Sequence, residues 1–92
     1  MTHQVTHNVD ENRYEIHVDG ILAGFTQAFE KGDVVTFPHT KVFEQFEGQG
    51  LASELVAGAL DDIRVRGKLI VATCPYVARF VDQHPDYKDL LA

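Results

Sequence analysis

Three short stretches of this chain bring together groups that can do chemistry. The first is the loop Gln45-Phe46-Glu47-Gly48-Gln49-Gly50, followed directly by Leu51-Ala52. Glycines ahead of a helix let the backbone approach a ligand closely. The first amides of that helix have no internal partners and carry the positive end of its dipole. Such a loop suits an anion, phosphate above all; the plainer reading is a turn with no ligand. A Walker loop is excluded because no Gly-Lys-Ser/Thr follows, and Ser53 stands where a dinucleotide fingerprint needs its third glycine. The second stretch is Cys74-Pro75. Proline favours the first helical position, which makes Cys74 the N-cap, and the helix dipole there favours a thiolate. The competing reading of Cys74 is a small buried hydrophobe. The third is His39, either a base or positioning group near neutral pH or a histidine satisfied by a strand neighbour.

Elements of definite kinds must hold these groups. Val5 to Asn8 reads as a short strand and Asp10-Glu11-Asn12 as a polar turn. Arg13 to Val18 alternates, with Tyr14, Ile16 and Val18 on one face, which is the signal of a half-buried strand. Asp19-Gly20 is a tight hairpin dipeptide. Ile21 to Phe29 is the returning strand, Lys31-Gly32-Asp33 a turn, and Val34 to Val42 the next strand. Pro38 cannot donate a ladder hydrogen bond and marks a bulge or an interrupted edge there. From Gly50 the period changes: Leu51, Ala52, Leu55, Val56, Ala59, Leu60 and Ile63 form the apolar stripe of a helix. Arg64 and Arg66 suit its last turn and Gly67 its stop. Leu69 to Thr73 reads as a buried strand, Tyr76 to Gln83 as a short helix, and Asp86 to Leu91 as a last helical turn or two.

The predicted class is α+β: an antiparallel strand meander, a crossover helix, a parallel pair of Val34–Val42 with Leu69–Thr73, and short C-terminal helices. His39 and Cys74 then flank one cleft. The 92 residues suit a single domain spanning 1–92. The net charge of -6 disfavours nucleic acid and suits a cationic partner such as an amine. No apolar run is long enough for a membrane span and no signal peptide is visible at the N-terminus. The lone Cys74 forms no internal disulfide and points to a reducing cytoplasm. His3 and His7 have a metal-like spacing but lie on a chain start expected to fray, so no metal site is expected. Tyr76, Phe80 and Tyr87 are expected in the core, and Asp62 with Arg66 as an exposed ion pair.

Gln45-x-x-Gly48-x-Gly50 with Leu51-Ala52 resembles the coenzyme A pyrophosphate loop of the GCN5-related N-acetyltransferase superfamily. His39-Thr40-x-Val42, Cys74-Pro75-Tyr76-Val77 and His84-Pro85-x-Tyr87 resemble its very small single-domain branch, in order across residues 13 to 91. The resemblance implies a meander leading to a splayed parallel strand pair with acetyl-CoA between the strands. Backbone groups near Lys41, Val42 and Phe43 would receive the pantetheine, and one near Val42 would serve as oxyanion donor. Amides of Glu47, Gly48, Gln49, Gly50, Leu51 and Ala52 would receive the pyrophosphate, with Pro75 and Tyr76 beside the cofactor. Cys74 would take the acetyl group or stand beside the thioester, with His39 as the second catalytic residue. The acceptor would be an amine, on a small molecule or an exposed protein site, and the protein a monomer or weak homodimer. Larger members place two helices between their first strands to build the acceptor site. Asp10-Glu11-Asn12 and Asp19-Gly20 leave no room for them. The alternative is therefore a non-catalytic acyl-CoA-binding or interaction module.

Overall fold

The structure, a computed structural model, describes every residue from Met1 to Ala92. Strands β1 (His3–Asn8), β2 (Arg13–Val18) and β3 (Ile21–Gln27) form an antiparallel meander. The β2–β3 turn is the expected dipeptide, with Asp19 at φ 50° and Gly20 at φ 82°. Ile16 pairs with Gly24 and His17 with Leu22, so Ala23 is an extra, bulged residue in β3. Next come β4 (Phe29–Lys31), β5 (Val34–Phe37) and β6 (Thr40–Val42). Helix α1 (Leu51–Val65) crosses over to β7 (Leu69–Ala72), and α2 (Pro75–Gln83) leads to a final 3₁₀ stretch, Pro85–Leu90. No helix is long and apolar enough to cross a membrane.

The strands form one sheet in the order β1-β2-β3-β6 and another in the order β4-β5-β7. This corrects two boundaries expected from the sequence. Ile21–Phe29 is not one strand: β3 ends at Gln27, the Ala28 amide makes one last bond in the β2 register to Asn12 O at 2.8 Å, and β4 begins at Phe29. Val34–Val42 is likewise cut at Pro38-His39, where proline has no N–H to offer a ladder. The chain uses both breaks to change sheets. Strands β5 and β7 run parallel from Val34↔Leu69 to Phe37↔Ala72, and the Cys74 amide donates to Phe37 O at 2.8 Å. Past that bond the chain leaves β7 and continues as β6 against β3, so the two strands diverge as a splayed pair.

Helix α1 buries Leu51, Leu55, Val56, Ala59, Leu60 and Ile63. They meet Tyr14, Ile16 and Val18 of β2, Val35 and Phe37 of β5, Ile70 of β7, and Val77, Phe80 and Val81 of α2 in one core. Each such aliphatic side chain stabilises the fold by about 1.5–3 kcal/mol on burial. The helix stops as expected: Gly67 has φ 69° and the Lys68 amide donates to Ile63 O at 3.1 Å. The chain start is paired into β1, not frayed. His3 Nδ1 lies 2.8 Å from Glu54 Oε1, and His7 Nδ1 lies 4.0 Å from Asp62 Oδ2, both carboxylates on α1.

Candidate functional site

The loop between β6 and α1 is built by its glycines. A 3₁₀ turn, Glu44–Phe46, brings the chain round, and then Gly48 (φ 81°) and Gly50 (φ 73°) take left-handed conformations. A Cβ at either would meet nothing within 4 Å, so conformation rather than crowding demands glycine there. Gly50 is the N-cap of α1, and buried Leu51 anchors the first turn in the core. The Glu47 amide donates to Glu44 O at 3.2 Å, and the Glu54 amide to Gly50 O at 3.3 Å. Between them, the amides of Gly48 to Ser53 have no hydrogen-bond partner within the chain. They gather at the positive end of α1. An open cleft of about 210 Å³ lies over them, bounded by Val42 and Phe46 on one side and Tyr76 on the other.

Strand β6 supplies the neighbouring wall. His39 O accepts from the Gln27 amide and the Phe43 amide donates to Ala23 O, both at 2.8 Å, while Lys41 pairs with Phe25. In an antiparallel pair the residues between these, Thr40 and Val42, turn their N–H and C=O away from β3. Strand β6 ends its sheet, so those groups face the open side of the splay. The strands sit close: a Cβ at Gly24 would fall 2.5 Å from Lys41 O.

Cys74 is 5% exposed. It is the N-cap of α2 with Pro75 in the first turn, as expected, but its side chain makes no capping hydrogen bond. The thiol instead donates to Thr40 Oγ1 at 3.6 Å, and Thr40 Oγ1 lies 2.8 Å from the hydroxyl of fully buried Thr26. His39 is not part of this arrangement. Alternation along β6 sends it to the opposite face, where its ring meets Phe25 edge-on at 6.1 Å. The expected proximity of His39 and Cys74 is therefore replaced by Thr40 and Cys74.

The structure brings Val42, Glu47, Gly48, Gly50, Leu51, Ala52 and Tyr76 together around one cleft. Gln49 is exposed in the same loop. Lys41 points to the other face of the sheet, its Nζ 5.9 Å from the centre of the Phe43 ring. Tyr76 is 37% exposed and lines the cleft, where the resemblance puts it, and not in the core as expected from the residues alone, whereas Phe80 is buried. Sequence reasoning passed over Thr40, Thr26 and Gly24. Thr40 was detectable as the residue sharing an edge with Val42, and Gly24 as a glycine inside a strand, which often marks close backbone approach.

The far end of α1 carries a different cluster. Tyr14 OH donates to Asp62 Oδ2 at 2.6 Å, and Arg66 Nη1 donates to Tyr14 OH at 3.1 Å. Burial first, then the bond to Asp62, pushes the Tyr14 phenol well above its ordinary value. Arg66 also binds Glu30, so Asp62 and Arg66 belong to a network rather than an isolated surface pair.

A family model described as GCN5-related N-acetyl-transferase matches residues 13–90. No curated protein matches the chain in sequence. Among solved structures, a GCN5-like protein from Staphylococcus aureus is 19% identical with a TM-score of 0.71, covering 97% of this chain and 87% of that one. The ribosomal-protein-S18-alanine N-acetyltransferase from Escherichia coli is 17% identical with a TM-score of 0.65, covering 77% of this chain but 49% of that one. AAC(6')-Iy, in complex with the bisubstrate analog CoA-S-monomethyl-acetylneamine, is 20% identical with a TM-score of 0.54, covering 83% of this chain and 59% of that one. At these identities the likeness is one of fold. The match spans about half of the first of the two named enzymes and about three-fifths of the second.

Proposed function

The chain belongs to the GCN5-related N-acetyltransferase family, which uses acetyl-CoA, and on that premise we propose that it binds acetyl-CoA at the Gly48–Ser53 amides and the open edge of β6 and transfers the acetyl group to an amine. One observation carries this reading: a run of unpartnered amides at a helix start opens directly onto the free edge of a splayed strand. Bound there, acetyl-CoA supplies an acetyl group activated as a thioester. The amides of Gly48 to Ala52 hold the pyrophosphate. Of the backbone near Lys41, Val42 and Phe43, the Val42 groups, with those of Thr40, are free on the open edge to hold the pantetheine, while Lys41 and the Phe43 amide stay bonded to β3; Pro75 and Tyr76 stand on the far wall. The Val42 N–H, free on the cleft side, polarises the thioester carbonyl.

The acceptor nitrogen attacks in its neutral form. The new C–N bond forms as the C–S bond breaks, and the proton lost by the amine balances the one the leaving sulfur takes up. Cys74, held against Thr40, would relay the proton to the leaving sulfur; in the covalent variant its own sulfur would take the acetyl group first, releasing coenzyme A, and then pass it to the amine. His39, exposed on the opposite face, serves as a base from the acceptor side. We place the activity in the cytoplasm, on a monomer or weak homodimer.

A second reading, an acyl-CoA-binding module without turnover, is favoured by one feature. The β1–β2 and β2–β3 connections are tight turns, so neither contributes an acceptor wall. Incubation with labelled acetyl-CoA and a broad amine panel separates the two. Transfer supports the enzyme, and tight binding without transfer supports the module. Intact-mass measurement reports acetyl-Cys74 if it forms, and full transfer by Cys74→Ala would remove any essential role for the thiol.

A further inference from the structure

We propose that Arg79 binds the phosphate on the ribose of coenzyme A and thereby selects coenzyme A over its 3'-dephospho form; this rests on the binding site proposed above. Tyr76, Arg79, Phe80 and Gln83 fall at three-, four- and seven-residue steps, which places them along one face of α2. That face, with Ser53 of α1 and His84, encloses a second cleft of about 60 Å³. Ser53 and Tyr76 line both this cleft and the one over the glycine loop, so the two adjoin. His84, stacked on Phe80 with ring centres 4.0 Å apart, lines the second cleft beside it.

The charge pattern says what the second cleft is for. Every other arginine is committed to a carboxylate: Arg13 to Glu15, Arg64 to Asp89 and Arg66 to Glu30. Arg79 has no acidic partner, on a chain whose net charge is -6. An acidic protein that leaves one guanidinium unpaired beside an anion-binding loop offers it to an anion. Coenzyme A carries phosphate in two places, the pyrophosphate and a single phosphate on the adjoining ribose. The loop amides serve the first. The second then falls in the adjoining cleft, where a planar guanidinium matches phosphate oxygens with paired hydrogen bonds.

The test is calorimetric titration of coenzyme A and 3'-dephospho-coenzyme A into the wild-type protein, Arg79→Gln and Arg79→Lys. Arg79 is exposed, so the variants should keep the wild-type melting temperature. The wild type should prefer coenzyme A by about tenfold, the usual scale for one exposed charge-assisted contact. Arg79→Gln should lose that preference by weakening coenzyme A alone, and Arg79→Lys should restore part of it. An unchanged preference in Arg79→Gln would overturn the assignment while leaving the loop site standing. If neither ligand binds the wild type, the loop site fails and the assignment with it.

Discussion

Gly50 and Gly58 stand eight positions apart in the sequence and need glycine for opposite reasons. Gly50 has open space around it but a φ of 73°, so a Cβ there is strained by conformation alone. Gly50→Ala should lower stability by about 1 kcal/mol, and it should weaken coenzyme A binding because the loop amides lose their directions. At Gly58 a Cβ would lie 2.9 Å from Val5 on β1, at a distance from the loop. Gly58→Ala should cost about 1–2 kcal/mol with affinity unchanged; urea unfolding alongside calorimetry separates the pair. Glu15, 8% exposed, gives a pH prediction. Burial pushes its carboxyl up, but hydrogen bonds from Arg13 and Asn8 and the charges of Arg13 and His17 outweigh that and leave it below its ordinary value. A depressed folded-state value gives stability that is present above the unfolded value and lost as pH falls through the folded one. Glu15→Gln should therefore be about 1 kcal/mol less stable than wild type at neutral pH, with the gap closing below about pH 4. The glycine loop was legible because Gly48 and Gly50 announce positive φ locally. The partner of Cys74 was not: whether Thr40 or His39 faces it depends on which residues of β6 bond to β3, and no local pattern encodes that.

At the scale of elements, the site depends on strands that change partners. The parallel pairing of β5 with β7 followed from the crossover helix, and α1 and its stop followed from period and Gly67. The sheet switches at Ala28 and Pro38 did not, because period two continues on both sides of a switch and the new partner is distant in sequence. Pro38 marked an interruption without saying where the chain went next. Gly24 is the element-scale test. Its missing Cβ is what allows β6 to lie against β3, and the atom in the way, Lys41 O, is backbone. Gly24→Ala should cost about 2–3 kcal/mol and should also lower coenzyme A affinity, since displacing β6 moves the Thr40 and Val42 edge. Denaturation and calorimetry on the same samples check both; unchanged affinity despite the stability loss would detach β6 from the site.

The whole molecule folds as the α+β unit of the acetyltransferase family. The likeness covers 49% of the Escherichia coli enzyme, and the first connections of this chain are tight turns. Its overall acidity had suggested a cationic partner, yet local charge differs from the total: the far face of the meander presents Arg13 over the Phe25 ring and Lys41 over Phe43. Charge totals were legible in the sequence, and their distribution needed the fold. Amide chemical shifts recorded during titration with acetyl-CoA report on cofactor binding at the glycine loop residue by residue. Saturable shifts confined to Val42–Ala52 and the Cys74–Arg79 side of the cleft are the expected result. No shift at millimolar acetyl-CoA, or shifts centred away from Gly48–Ser53, would contradict it.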